Sequence, residues 1–118
     1  MTSIYFDEKV ATISTSALAS VIKFTIPAGS NFYLKELSLS PDSTFVGSGS
    51  FQLFINGASY MTSAKSLPLA FTIELYTFNG GKGLWVKPGD TIEIYGACSS
   101  GTGVLTAILY GEPTQNTE

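Results

Sequence analysis

"GLWVKPGDTIEIYGACSSGTGVLTAILYGE", residues 83–112, contains the only Trp and the only Cys of the chain, together with two strand-like runs separated by a turn. In "TIEIYGA" (91–97), Ile92 and Ile94 alternate with Thr91, Glu93 and Tyr95. A period of two sends successive side chains to opposite faces of a strand, whereas a helix needs a period of 3.6. "SSGTG" supplies turn chemistry, and "VLTAILY" (104–110) follows. That run is apolar on both faces, with Val104, Ile108 and Tyr110 on one and Leu105, Ala107 and Leu109 on the other. An antiparallel strand wetted on one side should alternate polar with apolar. This strand is therefore expected either at the centre of a sheet with both faces covered or at a subunit contact.

The same rhythm extends upstream. "SVIKFTI" (20–26) is rich in β-branched residues and ends at "PAG". In "NFYLKELSLS" (31–40), Leu34 falls out of phase with Leu37 and Leu39 across Lys35–Glu36, and a β-bulge there would return all three to one face. "SPDSTFVGSGS" (40–50) has loop composition. "SFQLFIN" (50–56) aligns Phe51, Leu53 and Ile55, and Asn56–Gly57 provides the two positive-φ positions of a type I′ hairpin returning through "ASYMT". "LAFTIELYTF" (69–78) predicts a strand with Phe71, Ile73 and Leu75 opposed to Thr72, Glu74 and Tyr76. "NGGKG" (79–83) predicts a turn. Two short strands are expected at 4–6 and 10–14, and no segment has helical periodicity.

Short strands punctuated by turn residues imply an all-β fold: an antiparallel β-sandwich, jelly-roll-like, of about eight strands. The expected organisation is one sandwich domain over 1–112, with 1–16 as an N-terminal arm or edge strands, and a polar C-terminal tail over 113–118. "FTIPAGSNFYLKEL" and "LWVKPGDTIEIYGA" both run strand, Pro/Gly corner, strand, as two Greek keys would. Generic turn chemistry accounts for that echo equally well.

Composition narrows the function. Charged residues make up 13% of the 118 residues, against about 25% in ordinary domains. All six cations are Lys, His is absent, and the net charge is −3. Nucleic-acid binders carry basic stripes and bidentate Arg, so that class is disfavoured. Without His there is neither the usual general base nor the commonest imidazole metal ligand. A lone Cys forms no internal disulfide, and Cys98, with no His to activate it, is read as a small apolar residue. "MTSIYFDEKV" lacks a basic segment followed by an apolar run, so no signal peptide is expected, and the chain is read as complete, soluble and made in the cytoplasm. No apolar run approaches a membrane span of about 20 residues.

Three chemistries are weighed. Glu74 and Glu93 are the acid/base pair an enzyme would use, and would have to face each other across a cleft. Dispersed Asp residues do not form a calcium-type set, and "NGGKG" lacks the Ser/Thr and helix of a phosphate-binding loop. No catalytic residue, cofactor or metal is expected. Exposed aromatics remain. Tyr76, Trp85, Tyr95, Leu105 and Leu109 are candidates for a protein interface, consistent with a charge-poor surface. Asn56, Tyr60 and Trp85 are candidates for a sugar platform.

The elements at 26–29 (a strand ending in a Pro–Gly corner), 34–39 (Leu-x-x-Leu-x-Leu), 53–57 (Leu-x-Ile-Asn-Gly), 87–92 (Lys-Pro-Gly-Asp-Thr-Ile) and 109–111 (a last strand closing on Tyr-Gly) follow one another in a recurring order. In this the chain resembles small β-sandwich structural proteins of phages and archaeal viruses. The resemblance implies a virion location and a capsid, decoration, turret or tail-associated role. Its implied partners are copies of the chain itself, often as trimers, and other virion proteins. A receptor-binding module that takes host-surface glycans is the alternative. The resemblance brings no catalytic residue.

Overall fold

The alternating segments form ten strands in the computed structural model, which describes residues 5–29, 31–42, 49–61, 64–67, 73–99 and 102–113. In chain order they are β1 (Tyr5–Ile13), β2 (Ala19–Thr25), β3 (Phe32–Pro41), β4 (Gly49–Ile55), β5 (Ala58–Ser59), β6 (Lys65–Ser66), β7 (Glu74–Thr77), β8 (Leu84–Val86), β9 (Thr91–Cys98) and β10 (Gly103–Pro113). No α-helix occurs among the described residues.

Sheet A runs β1-β10-β3-β7, with β8 also paired to β3; sheet B runs β2-β9-β4-β5, with β6 also paired to β4. Within these the pairings nest like one long folded hairpin: β1 with β10, β2 with β9, β3 with β7 and β8, β4 with β5 and β6. All are antiparallel. That nesting, split over two layers, is a jelly roll. Because β5 with β6 and β7 with β8 each occupy a single position beside a longer strand, ten strands fill eight places.

Between the sheets lies one apolar layer. Sheet A contributes Ile13, Leu34, Leu37, Leu39, Leu105, Ala107 and Leu109; sheet B contributes Ile22, Phe24, Phe51, Leu53, Ile92 and Ile94, and all thirteen are buried. Gly96 lets the layers meet, since a Cβ there would lie 2.9 Å from Ile13 Cδ1. The bulge in β3 forms where the Leu phase requires it: Tyr110 pairs with Glu36 and Gly111 with Leu34, leaving Lys35 as the extra residue. The hairpin also forms as read, with Asn56 at φ 52° and Gly57 at φ 84° joining Ile55 to Ala58.

Four expectations are corrected. The N-terminal segment is one nine-residue strand paired along β10, not two short ones; residue 4 lies outside the described residues. β10 continues through Pro113, the first residue assigned to the tail. Residues 43–48 and 68–72, including Phe71 and Thr72, lie outside the described residues. In β7 the two faces are the reverse of those expected: Tyr76 lies opposite the core residue Leu37, while Leu75 lies opposite Ser38 and faces outward. A shift of one residue exchanges every side chain between faces, and the register with β3 makes the choice.

The fourth correction concerns "NGGKG". β7 and β8 are both antiparallel to β3, so the chain resumes its direction after residues 78–83. The segment is an excursion from a single broken strand. Asn79 (φ 53°), Gly80 (φ 64°) and Gly81 (φ 91°) carry it through left-handed backbone. Phe78 anchors it in the core, and the Asn79 amide N–H donates to the Tyr60 hydroxyl at 3.2 Å.

Candidate interaction face

Strand register lays the outer face of sheet A out in rows. Thr12 lies beside Val104; Val10 beside Thr106 and Ser40; Glu8 beside Ile108, Ser38 and Leu75. Ile73, immediately before β7, is in phase with Leu75. Val10, Ile73 and Leu75 are 60%, 64% and 57% exposed, and Val104 and Ile108 are half-buried. Glu8 is ionisable, and so is Asp42, whose N–H donates to the Val104 carbonyl at the end of the first row. Two further rows continue the face: Tyr110 beside Glu36 and Thr77, then Glu112 beside Tyr33 and Trp85. One half of the face mixes aliphatic side chains with Ser and Thr, the other is aromatic and charged.

The outer face of sheet B differs in kind. β2 presents Ser20, Lys23 and Thr25; β9 presents Thr91, Glu93 and Tyr95; β4 presents Ser50, Gln52 and Phe54. Several of these groups are hydrogen-bonded on the face itself. The Ser20 hydroxyl donates to a Glu93 carboxylate oxygen, Gln52 Nε2 donates to Ser59 Oγ at 2.8 Å, and Ser59 Oγ donates to the Met61 carbonyl at 2.6 Å. Phe54 and Tyr95 lie with centroids 4.4 Å apart, each ring covering part of the other.

The sequence candidates scatter. Leu105 and Leu109 are 0% exposed and belong to the core, which corrects their reading as interface residues: β10 is central, between β1 and β3, and its odd-numbered side chains point inward. Tyr76 sits in an inward-leaning aromatic cluster, 5.5 Å from Phe78 and 6.4 Å from Tyr60 between centroids. Burial, and then the neighbouring Tyr60, raises its hydroxyl above the ordinary tyrosine range. Trp85 stands on the outer face of sheet A and Tyr95 on that of sheet B, on opposite sides of the sandwich.

Asn56, Tyr60 and Trp85 likewise lie in different settings: Tyr60 packs with Tyr76 and Phe78, Trp85 is exposed on sheet A, and Asn56 belongs to a turn. Asn56 locks the Asn–Gly hairpin to the "KPGD" corner: its Oδ1 accepts from Thr91 N at 2.9 Å, and its Nδ2 donates to Asp90 Oδ1 at 3.2 Å. Asp90 is the one buried charged residue among the described residues. Its carboxylate accepts from Lys87 N at 3.0 Å and Lys87 Nζ at 3.1 Å. The backbone N–H of Lys87 foremost, then the Lys87 ammonium and the Asn56 amide, hold the carboxyl below its ordinary range against the upward push of burial. The Asp90 carbonyl accepts from Ile26 N at 2.9 Å, drawing in the "PAG" corner as well. Nothing local in the sequence couples Asn56 to a residue 34 positions away.

Glu74 lies on sheet A and Glu93 on the outer face of sheet B, so the two carboxylates share no cleft. Cys98 is buried, its Sγ 3.6 Å from the Ile13 carbonyl. Val10, Ile73 and Leu75, which dominate the exposed aliphatic surface, were not among the sequence candidates. The signal for Val104 and Ile108 was present in the two-faced pattern of "VLTAILY".

No family model matches this chain, and no curated protein matches it. Among solved structures it is similar to one of infectious bursal disease virus strain Gx, with a TM-score of 0.43 and 14% identity over 99% of this chain and 38% of that one. A structure of strain Gt of the same virus has a TM-score of 0.40 and 14% identity over 98% of this chain and 38% of that one. The chain thus spans little more than a third of the length of the chains it matches.

Proposed function

We propose that this chain is a non-enzymatic structural subunit of a viral particle, a capsid, decoration or turret component, that acts by self-association and docking through the aliphatic half of the outer face of sheet A. The observation that carries the reading is the exposure of Val10, Ile73 and Leu75 on one side of a sandwich whose other side is polar and internally hydrogen-bonded. Val10 stands on β1 and Ile73 and Leu75 lie at β7, with Thr106, Ser40 and Ser38 between them, and large apolar side chains gathered on one face of a folded domain mark a contact surface. Charge depletion is the compositional mark of an interface core, and no cation stands among Thr12, Val104, Val10, Thr106, Ser40, Glu8, Ile108, Ser38 and Leu75. The viral setting rests on the motif order described from the sequence and on the recurrence of jelly rolls in capsid domains. A homotrimer with further virion proteins as partners is the arrangement the proposal favours.

Face docking is favoured over edge pairing. β1 is one edge of sheet A, and Asp7 and Lys9 occupy its inward phase opposite Leu109 and Ala107. Inward-phase charge is a device that discourages strand addition. Lys9 Nζ lies 6.0 Å from the centroid of the Phe24 ring and shields that end of the core.

Solution mass by light scattering tests the proposal. The wild-type chain is expected to be oligomeric, and the pair Val10→Lys with Leu75→Lys to be monomeric with unchanged circular dichroism. Thr25→Lys on sheet B should leave the mass unaltered. A wild-type chain that stays monomeric at high concentration, and binds no particle, would overturn it.

A further inference from the structure

Sheet A loses regularity at one place: β3 bulges at Lys35, which shifts its register with β10 between Tyr110 and Gly111, and the broken strand at the sheet's edge leaves β3 between Thr77 and Leu84. Opposite these gaps lies a pocket of about 270 Å³ lined by Lys35, Glu36, Thr77, Gly81, Tyr110 and Glu112. The irregularities are held in place. Gly111 permits the close approach of β3, since a Cβ there would meet the Tyr33 carbonyl at 3.2 Å and Leu34 Cδ2 at 3.3 Å. Lys35 Nζ donates to the Lys82 carbonyl at 3.3 Å, tying the bulge to the excursion. Gly83 N donates to the Phe78 carbonyl at 3.1 Å and Asn79 Nδ2 to the Gly83 carbonyl at 3.3 Å, closing the excursion on itself. Bulges collect beside functional sites because they re-aim side chains, and here they open a recess in an otherwise regular sheet.

We infer that this recess is a binding site for a neutral saccharide. Cross-strand pairing puts Glu112, Tyr33 and Trp85 in one row directly beside the row of Tyr110, Glu36 and Thr77. Tyr33, Trp85 and Tyr110 are 42%, 48% and 40% exposed. Large aromatic faces at that exposure offer an apolar surface of the kind the C–H face of a pyranose ring covers. Beside them, two carboxylates can each accept from two hydroxyls, while the Lys35 ammonium and the Thr77 hydroxyl can donate. That mixture of stacking faces and converging acceptors suits a ring bearing neighbouring hydroxyl groups. One cation against two carboxylates disfavours phosphate, sulfate and acidic sugars. None of Asn56, Tyr60 and Trp85 lines the recess; Trp85 and Tyr33 stand beside it in the row of Glu112. The recess adjoins the aliphatic rows but is lined by none of Val10, Ile73 and Leu75, so the saccharide reading and the docking reading are tested on different residues.

Trp85 is the only Trp in the chain, and it stands in the cross-strand row of the lining residue Glu112, so its fluorescence is a reporter beside the recess. The test titrates the wild-type chain with glucose, galactose, mannose, N-acetylglucosamine and their neutral oligomers, following Trp emission and ligand-observed NMR. A shallow recess gives a Kd on the order of 1 mM. At least one sugar is expected to bind saturably with a blue shift of the emission. Trp85→Ala and Glu36→Gln should each weaken that binding about tenfold, Trp85→Phe should retain most of it, and sialylated or sulfated counterparts should bind less well. Leu75→Lys should leave the affinity unchanged whatever it does to the oligomer. The inference is overturned if no sugar binds at concentrations on the order of 50 mM, or if binding persists in the folded Trp85→Ala and Glu36→Gln variants. It is equally overturned if a peptide panel competes at the recess and the sugars do not.

Discussion

The outer faces of the two sheets are built from the same antiparallel pleat, yet they treat solvent in opposite ways. On sheet B, Ser20, Glu93, Gln52 and Ser59 bond to one another or to backbone, and the two aromatics, Phe54 and Tyr95, cover each other. On sheet A, Val10, Ile73 and Leu75 project with no such cover. A folded domain has no need of the second arrangement for its own stability, because the core between the sheets is already complete without it. The lesson is that in a thin sandwich the inner faces encode the fold and the outer faces encode the company it keeps.

The sharpest separation of the two roles comes from Leu105→Ala. A fully buried Leu leaves a cavity, so unfolding free energy should fall by about 2–5 kcal/mol in a denaturant titration. The solution mass of the remaining folded protein should be unchanged. Asp90→Asn comes next. It removes charge-assisted bonds from Lys87, and should cost about 1–3 kcal/mol at neutral pH. Its pH dependence has a definite sign. Because the folded carboxyl titrates below its unfolded value of about 3.9, the wild-type advantage is fully present above that value and is lost as pH falls through the folded one. Thermal midpoints of wild type and Asp90→Asn should therefore converge toward acid, and a constant gap down to the lowest pH would contradict the assignment.

Smaller effects are expected on the outside of sheet B. A double-mutant cycle of Phe54→Ala and Tyr95→Ala should return a coupling of about 0.5–1.5 kcal/mol, without altering the oligomer. If Tyr95→Ala instead dissociated the assembly, the polar face would be the contact surface and the comparison above would be reversed.

What the sequence discloses follows from how far apart the deciding residues lie. The bulge at Lys35 is legible because Leu34, Leu37 and Leu39 betray a phase slip within six residues, and all three prove buried. The Asn56–Gly57 hairpin is legible because its backbone angles need those two residue types. β7 is misread because Leu75 and Tyr76 are both apolar enough to be core, and only the register with β3 chooses between them. "NGGKG" is misread because left-handed residues specify a local bend and not the direction in which the chain leaves it. Leu105 and Leu109 could not be told from Val104 and Ile108 by alternation, since both faces of β10 are apolar for different reasons. The bond from Asn56 to Asp90 joins two turns that neither turn alone predicts.

Thiol labelling puts the central claim to its most direct trial, because the chain's only thiol, Cys98, is buried. With Leu75→Cys and Thr25→Cys prepared separately, maleimide labelling rates are compared at a concentration where the chain is assembled and again after dilution to the monomer. The account predicts that Leu75→Cys is protected in the assembly and exposed on dilution, while Thr25→Cys reacts at the same rate in both. Equal labelling of Leu75→Cys in the two states, or protection confined to Thr25→Cys, would contradict it.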